Sequence, residues 1–108
     1  MKLIFCPYLD REVVLTDERY EHIQKHHPDL LPEHEHALES TVRDPDSVRG
    51  SERFQNARLF TKYFDTLRGG KYTVVVIVSD SRNGVRDWII TAYMARKIIR
   101  GGVEWERR

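Results

Sequence analysis

The chain has 108 residues, 40% apolar and 32% charged, which supports one hydrophobic core rather than two and excludes a disordered polyelectrolyte. Its one cysteine, Cys6, excludes an internal disulfide framework and fits a reducing cytoplasm, while the longest apolar run, Val74 to Val78, is too short to cross a membrane. Net charge is only +1, yet residues 1–54 carry 7 Lys+Arg against 12 Asp+Glu and residues 55–108 carry 11 against 5. If the basic half shares a surface it would attract a polyanion and turn the acidic half away; solvated charges that merely aid solubility are the plain alternative.

In chain order, Lys2 to Cys6 and Arg11 to Leu15 alternate around Pro7 and Asp10 and read as two strands or one irregular ribbon. Thr16, followed by Asp17 and Glu18, predicts a helix start, with a hydroxyl cap and two carboxylates at the positive end of the dipole. That helix should stop before Pro28, with Tyr20, Ile23 and His27 on one face and His22 and His26 on its flank. Glu33 to Val42 reads as a second helix with Leu31, Leu38 and Val42 inward, ended by Asp44 and Pro45.

The remainder reads as strands. Ser47 to Ser51 is weak, Arg58 to Phe64 stronger, and Lys71 to Val78 the strongest and therefore central. Ser81-Arg82-Asn83-Gly84 carries the Asn-Gly pair of a tight hairpin, Asp87 to Met94 returns, and the tail through Gly101, Gly102 and Trp105 adds a short edge strand. Helices followed by strands argue for one α+β domain with a mainly antiparallel sheet. No repeat or low-complexity stretch interrupts it.

Strand alternation puts Arg58, Phe60, Lys62 and Phe64 on one face, cations interleaved with aromatics as a nucleic acid would want; Phe side chains packed in a core with basic tips reaching water is the bland reading. Thr91 and Tyr93 share another strand face, two hydroxyls about 7 Å apart. Five histidines, His22, His26, His27, His34 and His36, fall close together and could move protons near neutral pH. His22 and His26 have the spacing of a metal-binding pair, but the glutamate of the zinc-protease motif is missing between them. No Gly-rich phosphate loop or nucleophile elbow occurs.

Three stretches together, Leu15-Thr16-Asp17-Glu18-Arg19-Tyr20-Glu21-His22-Ile23 running to His27-Pro28, then Arg58-Leu59-Phe60, then Trp88-Ile89-Ile90-Thr91-Ala92-Tyr93, resemble the phage-associated branch of the barnase/EndoU/colicin/RelE-like nucleases. The resemblance implies N-terminal helices packed on a mainly antiparallel sheet of about four to five strands. It also implies metal-independent endoribonuclease activity without a cofactor, by attack of the ribose 2′-hydroxyl on the neighbouring phosphate, so that DNA would be inert. On it, His22 or His27 is the acid or base, Arg58 and Lys62 hold phosphate, and Thr91 and Tyr93 orient the substrate. Such a cytoplasmic nuclease would need a cognate inhibitor protein. A non-catalytic RNA- or protein-binding module is the alternative.

Overall fold

Side-chain alternation sets the first elements. In the computed structural model, which describes residues 1–81, 84–98 and 102–108, β1 (Lys2–Cys6) and β2 (Arg11–Leu15) pair antiparallel, Lys2 opposite Leu15 and Cys6 opposite Arg11. Ile4, Cys6, Val13 and Leu15 are buried, while Leu3 and Phe5 between them are exposed. Thr16 caps α1 (Asp17–His26): its Oγ1 accepts from the Arg19 N–H at 3.1 Å. The helix closes as Pro28 requires, with the His27 N–H donating to the Ile23 carbonyl at 2.7 Å. A link with buried Leu30 and Leu31 leads to α2 (Glu35–Arg43), which buries Ala37, Leu38, Thr41 and Val42. Among the described residues no helix is long and apolar enough to cross a membrane.

Five strands follow: β3 (Ser47–Gly50), β4 (Ala57–Phe64), β5 (Lys71–Asp80), β6 (Arg86–Ala95) and β7 (Val103–Glu106). All seven form one sheet in the order β1-β2-β6-β5-β4-β3-β7, with β5 at its centre as its valine run demands. Neighbours run antiparallel except β2 and β6, which are parallel through Val14 opposite Trp88. Arg82 and Asn83 of the expected hairpin turn, and Gly101 of the tail, lie outside the described residues.

The expected α+β arrangement of N-terminal helices on a mainly antiparallel sheet of about four to five strands is overturned. The sheet has seven strands and mixed direction, and the two helices, of 10 and 9 residues, follow a strand pair instead of preceding the sheet. The physical reason lies at the chain ends. The β1–β2 ribbon carries an apolar stripe that has to join the main core, and it does so along the edge of β6 and beneath α2. The tail adds β7 because Trp105 packs against Tyr8, ring centroids 6.3 Å apart, and Glu104 meets Arg58.

Registers divide the sheet into two faces. Val48, Phe60, Val75 and Ala92 line up across β3, β4, β5 and β6, and with Ile77, Ile89, Ile4 and Val13 they make the core that Ile23, Leu38 and Val42 of the helices cover. The alternate positions, Leu59, Thr61 and Tyr63 on β4, Tyr72 and Val76 on β5, Thr91 and Tyr93 on β6, point the other way. The chain leaving β6 passes over this second face, where Arg96, Lys97 and Ile98 line a cavity with Thr61, Tyr63 and Tyr72.

The β4–β5 turn tests how this second face is held. Gly70 has φ +109°, and a Cβ there would collide with the Tyr63 hydroxyl. Gly70→Ala is therefore expected to cost about 1–3 kcal/mol, from backbone strain and displacement of Tyr63, measured as a lower urea midpoint with unchanged m-value. An unaltered midpoint would refute that account of the turn.

Candidate nucleic-acid interface

The residues expected to form a site are spread over the molecule. Arg58 and Lys62 share the helix-bearing face with Phe60, which is fully buried, and Phe64, which packs on the core. Both cations are engaged: Arg58 Nε donates to Glu104 Oε2 at 2.8 Å, and Lys62 Nζ donates to the Asp44 carbonyl at 2.8 Å and to Asp44 Oδ2 at 3.1 Å. The alternation is as expected, but here it serves core packing with tethered basic tips. His22 is exposed on α1 and stacks on His26, centroids 4.4 Å apart. Partial desolvation and the neighbouring His26 and Arg19 charges push its imidazole below the usual histidine range. His34 and His36 pair separately, at 5.9 Å. Among the described residues, no three His, Cys, Asp or Glu side chains gather as metal ligands.

His27, at the end of α1, lies against Tyr93 of β6, ring centroids 5.9 Å apart and planes 38° apart. Tyr93 is partly buried, and burial pushes its phenol above the usual tyrosine range, so near neutral pH it keeps its proton. Thr91 and Tyr93 share a cavity of about 340 Å³ on the helix-free face with Arg49, Arg53, Phe54 and Leu59.

The second cavity of that face, about 520 Å³, lies between β3, β4, β5 and the chain leaving β6. Tyr63 and Tyr72 form one wall, edge to face at 5.1 Å, and Arg49, Arg96, Lys97 and Arg107 contribute cations. On its floor the Ser47 and Thr61 hydroxyls share a hydrogen bond of 2.5 Å. Arg107 is bound to Asp44 and Asp46, whereas Arg96 and Lys97 meet no carboxylate among the described residues. Phe54 and Tyr63 are 53% and 47% exposed, so aromatic surface stands open beside these cations. Asp17, Glu18, Glu21, Glu35 and Glu39 lie on the helices, so much of the acidic half belongs to the layer on the opposite face.

No family model, curated protein or solved structure matches the chain. A functional reading of the helix-free face therefore has to stand on its own geometry.

That geometry brings together what a single-stranded polyanion requires: ring faces, cations on flexible stems and hydroxyls, on a broad surface with two recesses. Sequence reasoning missed Arg49, Arg53, Phe54, Tyr63, Tyr72, Arg96 and Lys97. The signal for part of the set was the other half of the β4 alternation, Leu59-Thr61-Tyr63. Phe60 and Phe64 drew attention to the half that turned out to face the core.

A polar cluster on the helix-bearing face was also missed. The Asp87 carboxylate is fully buried; Arg11 Nε and Nη2 donate to its two oxygens at 2.5 and 3.2 Å, and Ser79 Oγ donates to it at 2.5 Å. Arg58 Nη1 reaches Ser79 Oγ at 3.4 Å, and the Tyr8 hydroxyl donates to Glu104 at 3.2 Å. Each of these side chains has a partner inside the cluster, which ties β2, β4, β5, β6 and β7 to one another, a structural role.

Proposed function

We propose that this chain binds single-stranded RNA on the helix-free face of its sheet, in the cytoplasm. The observation that carries the reading is the combination of Tyr63, Tyr72 and Phe54 with Arg49, Arg53, Arg96 and Lys97 around two cavities. Exposed rings accept bases by stacking and the cations accept phosphates, a mode that tolerates many sequences. The test is titration of a labelled single-stranded RNA of roughly a dozen nucleotides, a length that spans one such platform, in excess chelator and at several salt concentrations. Affinity that falls linearly with log salt supports the reading; no binding at low salt ends it.

A second reading, a metal-independent ribonuclease of the barnase/EndoU/colicin/RelE-like kind, is favoured by the contact of His27 with Tyr93 beside Thr91. In that chemistry the 2′-oxygen gives its proton to a base and attacks the adjacent phosphorus. The bond from phosphorus to the 5′-oxygen breaks, and that oxygen takes a proton, leaving a cyclic phosphate and a free 5′-hydroxyl. His27 would move the first proton, the Tyr93 phenol would supply the second, and Arg49 and Arg53 rather than Arg58 and Lys62 would meet the charge on phosphate. On this reading a cognate inhibitor restrains the protein in its own cell. His27→Ala is expected to slow cleavage by about 10²–10⁴-fold while RNA affinity stays within a few-fold. Intact RNA after incubation with the wild-type protein would leave the binding reading alone standing.

A further inference from the structure

The two cavities of the helix-free face have a common wall, Arg49 of β3, which lines both. Their floors come from the same strand: Leu59 belongs to one and Thr61 to the other, two residues apart and about 7 Å along β4. That offset is on the scale of one step along an extended nucleotide chain. The cavity between Tyr63 and Tyr72 has the Ser47 and Thr61 hydroxyls at its base, buried and bonded to each other. The cavity beside Phe54 has the apolar Leu59, Val76 and Ile90 in its lining together with the Thr91 and Tyr93 side chains.

We infer that the face has a two-nucleotide frame: adjacent nucleotides occupy the two cavities and the phosphate linking them rests on the Arg49 guanidinium. The inference deepens the RNA-binding reading and rests on it. Both nucleotides are accepted whatever their bases, since every base has a ring face to lay against Tyr63, Tyr72 or Phe54. Arg49 suits the bridging position because its planar fork meets two phosphate oxygens at once.

The test is competition of mononucleotides, dinucleotides and trinucleotides of RNA against the labelled longer strand. The expected result is a gain of at least about tenfold from mononucleotide to dinucleotide and a smaller gain from dinucleotide to trinucleotide. Changing either base of the dinucleotide should alter affinity by no more than a few-fold. Arg49→Gln should abolish the first gain, costing the dinucleotide more than the mononucleotide, and Arg49→Lys should restore part of it; a thermal melt of each variant confirms folding. Affinity that rises evenly with each nucleotide, equal loss for all lengths in Arg49→Gln, or equal competition by heparin would overturn the frame while the long strand still binds. Failure of the long strand itself to bind would remove the RNA-binding reading and the frame with it.

Discussion

Asp87→Asn is expected to lower folding stability by about 3 kcal/mol, the low end for removing one partner of a buried ion pair because Arg11 is 39% exposed. The variant keeps the shape of the side chain but leaves Arg11 without its counter-charge and puts an amide donor where an oxygen accepted, so Ser79 and Arg11 cannot both go on donating to it. Urea unfolding measures it, and a loss under about 1 kcal/mol would refute the structural role assigned to the cluster. The pH dependence has a definite sign. Burial acts against the Asp87 charge, but the hydrogen bonds from Arg11 and Ser79 outweigh it and hold the carboxyl below its ordinary range. Its stabilisation is thus complete above the unfolded value of about 3.9 and is lost as pH falls from there through the folded value. Acid should lower the urea midpoint of the wild-type protein over that window, and more steeply than that of Asp87→Asn.

The second large effect concerns binding. Arg96→Glu combined with Lys97→Glu is expected to weaken single-stranded RNA binding more than about tenfold at moderate salt and to reduce the slope of log affinity against log salt by about 1.4, two phosphate contacts at about 0.7 each. Both side chains are exposed and meet no carboxylate among the described residues, so stability should change by less than about 0.5 kcal/mol. The double variant therefore separates binding from folding. An unchanged salt slope would show that the polyanion passes elsewhere.

Local order was legible in the sequence where one residue type dictates one geometry. Thr16 with Asp17 and Glu18 started α1, Pro28 stopped it, and the Val74–Val78 run occupied the centre of the sheet. The sheet's composition was less legible. Whether Lys2–Cys6 and Arg11–Leu15 stand apart or join the main sheet depends on Val14 meeting Trp88, a pairing that no local pattern encodes. The same is true of sites. Alternation placed Thr91 beside Tyr93 and grouped Arg58 with Lys62, but it could not say that the two groups face opposite ways, because that depends on which set the helices cover. Arg96 and Lys97 belong to no periodic element, and their place beside Tyr63 and Tyr72 is set by the path of the chain after β6.

The parallel join between β2 and β6 also governs the order in which the molecule can assemble. Both helices and three strands separate β2 from its sheet neighbour β6, so during synthesis the ribbon emerges with Ile4, Cys6, Val13 and Leu15 lacking their partner strand. Loop-closure entropy opposes that contact until the intervening elements have condensed. The ribbon thus waits for β6 to complete its core, and until then its apolar stripe is open to wrong association.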